Sequence, residues 1–168
     1  MEITLVEEIN QENSDYLFHW KDRVFPVEGK SIEWAKSDWH LLAFNDDRKP
    51  SAHLGYGIFE VEIDEKTVIN VVGVGGVVVR PECQGKGIPA KIFDFLHHSN
   101  HANSLADTFT LFCPKRLESY YKKHGYTKFK GTYTFTQNGN VSSSDDFIFM
   151  YHGRSINSDN IHINNEPW

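Results

Sequence analysis

Val71-Val-Gly-Val-Gly-Gly-Val-Val-Val-Arg-Pro-Glu-Cys-Gln-Gly-Lys-Gly-Ile-Pro-Ala-Lys-Ile-Phe-Asp-Phe-Leu96 is the stretch whose reading decides the fold. A run of β-branched residues, too apolar for a surface, ends at Arg80-Pro81 and gives way to a glycine-rich loop, Gln84-Gly-Lys-Gly87. A helix follows directly. Pro89 suits a first helical position, where the missing N–H would have no partner in any case. Ile88, Ile92 and Leu96 then recur with a helical period along one buried face. The unit is strand, loop, helix.

A loop of this kind turns backbone N–H groups outward at the positive end of a helix dipole, which favours a phosphate or pyrophosphate. Glycine at 85 and 87 lets an anion approach the main chain; a tight strand-to-helix turn with no ligand is the plainer reading of the same residues. The loop is not a Walker motif, because Gly87 stands where Ser or Thr would follow the lysine and Arg80 where its first glycine would fall. It is not a dinucleotide fingerprint either, since Ala90 replaces the third glycine.

The loop resembles motif A of the GCN5-related N-acetyltransferase (GNAT) superfamily, which reads Gln/Arg-x-x-Gly-x-Gly/Ala. Here Gln84-Gly85-Lys86-Gly87-Ile88-Pro89 fits five of six positions, after an apolar strand ending Val-Val-Val-Arg-Pro-Glu. Pro89 departs from the small residue expected and removes one potential amide donor to the pyrophosphate. Leu117-Glu-Ser-Tyr-Tyr-Lys-Lys-His-Gly-Tyr126 resembles motif B of the same superfamily, a helix carrying Phe/Tyr-Tyr-x-x-x-Gly-Phe/Tyr. The resemblance implies acetyl-CoA as cosubstrate, held by Val77, Val78 and Val79 and by Gln84, Gly85, Lys86, Gly87, Ile88, Pro89 and Ala90. The pantetheine arm would pair with the strand edge at Val77 to Val79, and those N–H groups would stabilise the oxyanion of direct acetyl transfer. Tyr121 falls on the tyrosine that protonates the departing thiolate; a core aromatic is the alternative, and Tyr120 the substitute acid. In the aminoglycoside 2′-N-acetyltransferase branch, which the chain also resembles, a glutamate base precedes motif A; that position here is Gly75. Glu82, His53 and the pair Glu28/Glu33 remain as bases on chemistry alone, with Glu82 the candidate named.

Outside these motifs the chain reads as one α/β domain over residues 1–168, with no linker and no repeat. Alternation at Ile3 and Leu5 opens it with a strand, and Asn13 to Phe25 carries a helical stripe that Pro26 ends. A short helix is expected from Ser31 to Asp38. Strands follow at His40 to Phe44, Leu54 to Ile63 and Val68 to Val79, with turns at Asp46–Pro50 and Asp64–Lys66. Gly73, Gly75 and Gly76 are out of place inside a strand unless it bulges or another backbone comes close. The loop helix closes near His101, Phe109 to Cys113 is a parallel strand, and Pro114 to Gly125 a helix. Tyr126 to Lys130, Tyr133 to Gln137 and Phe147 to Tyr151 complete the sheet, with Asn138–Asp146 a loop. The expected architecture is a mixed, mostly antiparallel sheet of six or seven strands, flanked by about four helices, with a V-shaped cofactor cleft between the strands ending at Val79 and Cys113.

Two cysteines, Cys83 and Cys113, stand in no metal-like spacing and suggest a reduced, cytoplasmic setting. No membrane span or signal peptide is evident, and no metal site is expected. His97 and His101 have metal-compatible i, i+4 spacing but no accompanying carboxylate, and with His98 read as solvated cations at a helix end. A net charge of −6 argues against nucleic acid and suits a cationic small molecule. Acids interleaved with aromatics, Glu28, Glu33 and Trp34, together with Glu166, Trp168 and a terminal carboxylate, would hold an amine-bearing acceptor, aminoglycoside-like or polyamine-like; an amphipathic helix pair and a frayed tail are the plainer readings. The rivals are a protein lysine or N-terminal acetyltransferase, a non-catalytic acyl-CoA sensor and a structural module; a homodimer stays open.

Overall fold

The computed structural model describes residues 1–19 and 32–168. Its centre is the hairpin of β3 (Pro50–Ile63) and β4 (Thr67–Val79), antiparallel along nearly their whole length. Asp64 and Glu65, at φ 51° and 56°, turn the chain between them. β2 (Trp39–Phe44) pairs with the first half of β3, and β1 (Glu2–Val6) with β2. The far half of β3 pairs with β10 (Asn160–Ile163), which runs parallel to β7 (Thr132–Gln137). On the other flank β4 meets β5 (Thr108–Pro114) in parallel, then come β9 (Phe147–Gly153) and β6 (Thr127–Lys128). The sheet is mixed and mostly antiparallel, as expected, but has ten strands among the described residues instead of six or seven.

The extra strands have specific causes. Asn138-Gly139, both at positive φ, forms a tight hairpin turn that lets β8 (Asn140–Ser142) fold back on β7, inside what reads as a loop. β10 lies in the polar tail, where Ile161 and Ile163 alternate around His162 and both are buried.

Four α-helices are described: α1 (Gln11–Phe18), α2 (Ile88–His97), α3 (Asn100–Leu105) and α4 (Glu118–Lys122). Asn10 caps α1, its side chain accepting from the Asn13 N–H at 2.8 Å. The expected continuation of this helix to Phe25 lies outside the described residues. The loop helix ends at His97 instead of near His101, because Ser99 starts α3 as its N-cap. The helix expected over Ser31–Asp38 is absent from 32–37, which is irregular. There the main chain bonds elsewhere: the Glu33 N–H donates to Gln137 Oε1 at 3.2 Å and the Ala35 N–H to the Pro167 carbonyl at 2.7 Å. The tail is therefore strapped down.

The sheet buries both faces. Against α2 and α4 pack Leu54, Tyr56, Val72, Val74 and Leu111, with Ile88, Ile92, Phe93 and Leu96 filling the helix side. The opposite face carries Val61, Val71, Phe112, Phe149, Ile163 and Trp168. Alternation along β4 and β5 assigns neighbours such as Val71 and Val72 to opposite faces.

Candidate active site

β4 and β5 are paired only over Val72–Val74 and Phe109–Leu111, although β4 runs on to Val79 and β5 to Pro114. Beyond that point they part. A bulge starts the opening: His53 and Gly55 of β3 face Val78 and Gly75 of β4, so β4 holds one residue more than β3 in the interval. Gly76 takes the left-handed conformation there, φ +59°. The His53 Nδ1–H donates to its carbonyl at 2.6 Å, and His53 Nε2 accepts from His40 Nδ1 at 2.9 Å. The extra residue shifts the alternation, so that Val77 and Val79 join Val72 and Val74 on the helix face. The anomalous glycines thus serve both expected purposes: Gly76 makes the bulge, and Gly73 and Gly75 admit a close neighbour, the Trp168 residue.

The parted strands open a cleft of about 450 Å³ lined by Val77, Val78, Val79, Gln84, Gly85, Pro89, Arg116, Leu117, Tyr120 and Tyr121. At its mouth the chain leaves β4 through a 3₁₀ turn, Pro81–Cys83, and reaches α2 through Gly85 and Gly87 at φ +74° and +70°. A Cβ at either glycine would meet nothing within 4 Å, so the main chain is open to an approaching group. Among the described residues no acceptor takes the N–H of Gly85, Lys86 or Gly87. Exposed donors at a helix N-terminus suit an anion. Gln84 Nε2 donates to the Val79 carbonyl at 3.3 Å, tying the loop to the end of the strand.

Tyr120 and Tyr121 approach the cleft from α4, positioned by the turn Lys115–Leu117 and closed by Gly125 at φ +84°. Tyr121 is buried edge-on to Phe93, 6.0 Å between ring centres. Burial first, then Cys113 and Tyr120, push its phenol well above the ordinary tyrosine value, so it keeps its proton. Burial also raises Tyr120, and with Glu118 pushes the Cys113 thiol up to about 12. Cys113 is a neutral core thiol against Met150.

Six of the ten expected cofactor positions line the cleft: Val77, Val78, Val79, Gln84, Gly85 and Pro89. Lys86, Gly87 and Ala90 lie on the exposed outside of the loop, while Ile88 points into the core. Glu82 is not brought to the cleft; it turns back onto Arg80, and its own turn's backbone hydrogen bond and that guanidinium hold its carboxyl below the usual range. Glu28 lies outside the described residues. Glu33 accepts from Asn138 Nδ2 at 3.2 Å, and Trp34, 42% exposed, packs edge-on against Phe147. Trp168 is no frayed end but 5% exposed. Arg116 escaped the sequence reading, with the basic pair Lys115-Arg116 before motif B its one signal, and Leu117 stood in motif B without an assigned role.

The helix-end histidines do not all behave as solvated cations. His98 is exposed and lies 3.3 Å from Asp94 Oδ1. His97 stacks on His152 at 3.8 Å and bonds the Tyr126 hydroxyl, and burial, reinforced by neighbouring histidines, pushes it down to about 3. His101 accepts from the Tyr56 hydroxyl at 2.9 Å. No group of three or more metal-ligating side chains occurs among the described residues, and no described helix is long and apolar enough to cross a membrane.

The model of the acetyltransferase (GNAT) domain matches residues 6–129. The chain belongs to the GNAT acetyltransferase family. As a GNAT protein it is an acyltransferase, an acyl-CoA N-acetyltransferase by class. Among solved structures it is similar to an acyl-CoA N-acyltransferase from Pseudomonas aeruginosa, 18% identical over 90% of this chain and 99% of that one, TM-score 0.59. It is also similar to the GNAT family N-acetyltransferase YhbS from Escherichia coli in complex with CoA, 12% identical over 97% and 89%, TM-score 0.60. A Bacillus subtilis acetyltransferase in complex with CoA is 20% identical over 91% and 98%, TM-score 0.53. At these identities the likeness is one of fold. No curated relative matches the chain.

Proposed function

We propose that this GNAT protein transfers an acetyl group from acetyl-CoA to a primary amine of a small cationic acceptor. The observation that carries the cofactor half is the cleft itself, open between β4 and β5 with free loop amides at one end and a protonated Tyr121 along its wall. Acetyl-CoA supplies the activated thioester. The loop N–H groups of Gly85 to Gly87 take the pyrophosphate, with Lys86 and Arg116 as nearby cations. Main-chain groups of Val77 to Val79, released from β5, pair with the pantetheine arm and donate to the carbonyl oxygen as charge develops on it. Tyr121 holds a proton for the departing thiolate. Glu82 turns toward Arg80, so ordered water carries the amine's proton away from the site.

The acceptor half rests on the strap. The Ala35 to Pro167 bond draws the 32–38 segment and the tail together, and with them Glu33, Trp34 and Glu166, acids and an aromatic suited to ammonium groups. The net charge of −6 has the same sign. An aminoglycoside-like or polyamine-like molecule fits this chemistry. The test is kcat/KM for acetyl transfer to diamines, polyamines and aminoglycosides against lysine-containing peptides. The reading predicts that small polyamino acceptors win by at least 10-fold; a preference for peptides would replace it with protein acetylation.

A further inference from the structure

The cleft has an inner end, where the β4–β5 ladder stops at Val74 and Leu111. On the face of β4 away from α2, against Gly73 and Gly75, packs one side chain from the tail. The Trp168 indole stacks on Phe59 at 4.2 Å, meets Phe112 edge-on at 5.3 Å, and donates from Nε1 to the Thr110 carbonyl at 3.2 Å. Its seat exists only because β4 lacks side chains there. A Cβ at Gly73 would fall 2.6 Å from the indole, and one at Gly75 would fall 3.0 Å from the Trp168 main chain. Between Trp168 and the cleft-lining strand at Val77 lie Gly75 and Gly76, main chain alone.

We propose that Trp168 is the acyl-length stop of this enzyme. The inference rests on the acetyl-CoA reading of the cleft. With the thioester carbonyl on the Val77–Val79 main chain, the acyl group extends toward the bulge and the fork. An acetyl methyl ends over the bare main chain of Gly75 and Gly76. Each further methylene runs toward the indole, which is locked by its stack and its hydrogen bond and has no room to retreat into the aromatic cluster behind it. The selectivity for short acyl donors is thus set by a residue remote in sequence from both motifs, through glycines that let it reach the fork.

The test compares binding of acetyl-CoA and hexanoyl-CoA by calorimetric titration, with turnover as a second readout, in the full chain and in Trp168→Ala. Each buried methylene is worth about fourfold in affinity, so removing the indole should improve the hexanoyl-to-acetyl affinity ratio by roughly 10²-fold. Trp168→Leu, which keeps an apolar filling and protects the fold, should improve the butyryl-to-acetyl ratio by about fourfold to tenfold; it carries the test if the alanine variant does not fold. Unchanged ratios in a folded variant, or a parent protein that already binds hexanoyl-CoA as tightly as acetyl-CoA, would overturn the stop while leaving the acetyl-CoA reading intact. A parent protein that binds no acyl-CoA would overturn both.

Discussion

Replacing Gly87 by Val separates the loop's conformation from its proposed ligand. Gly87 is at φ +70°, and a Cβ there would meet no atom within 4 Å, so the substitution causes no clash. The cost is the left-handed backbone, about 1–2 kcal/mol for an L-residue. In a chain of this size that is roughly 2–8 °C in Tm. The isopropyl group would stand in the space where the pyrophosphate approaches the amides, and each hydrogen bond to a charged group lost there is worth about 1.5–3 kcal/mol. One such bond weakens acetyl-CoA by roughly 10- to 100-fold. At a concentration 100 times its Kd, acetyl-CoA stabilises the parent by about 2.7 kcal/mol, a thermal shift of roughly 5–11 °C. A variant binding 100-fold more weakly would gain only about 0.4 kcal/mol at the same concentration, a shift of about 1–2 °C. Gly139→Val is the control: it has the same open surroundings and positive φ, +72°, in the β7–β8 turn, away from the cleft lining. It should lose Tm alike and keep the full acetyl-CoA shift. A full shift in Gly87→Val, or a lost one in Gly139→Val, would refute the assignment of the loop.

Two other perturbations probe the chemistry and the fold. Tyr121→Phe keeps the ring against Phe93 and removes only the proton donor, so kcat should fall roughly 10²-fold with the acetyl-CoA Kd unchanged; undiminished turnover would move the acid role to Tyr120 or water. His97, held near 3 in the folded protein against 6.5 in the unfolded chain, stays neutral while the unfolded state takes up a proton, so its contribution to stability is lost as pH falls from about 6.5 toward 3. His97→Gln should flatten the decline of Tm over that window, and an identical Tm–pH profile would show that His97 does not drive it.

Local signals carried the cofactor side. The turn glycines, the strand before them and the apolar stripe of the helix after them lie within one stretch, and their spacing alone implies the strand–loop–helix unit. The glycines at 73, 75 and 76 also announced an irregularity, because a β-strand interior has no local use for them. At Gly73 and Gly75 the reason was non-local: Trp168, whose burial depends on β10 threading between β3 and β7. With only two inward apolar residues in a polar tail, β10 had too little alternation to stand out. The β8 hairpin is a different case, since Asn138-Gly139 is a strong turn signal but the strand it returns is short and exposed. Residues 32–37 have helix-compatible composition, yet their amides are taken by Gln137 and Pro167, a tertiary competition that no local propensity reveals. Arg116 reaches the cleft through the path of β5, which periodicity does not encode.

The most direct test of the central claim is continuous measurement of thiol release from acetyl-CoA by the purified chain across the amine panel, with the product identified by mass. Acetyl-CoA bound between β4 and β5 beside a protonated Tyr121 predicts amine-dependent release, one free CoA thiol for each N-acetylated amine. Tight acetyl-CoA binding with no amine-dependent thiol release from any acceptor would contradict it, and would make the protein a binder of acyl-CoA instead of an enzyme.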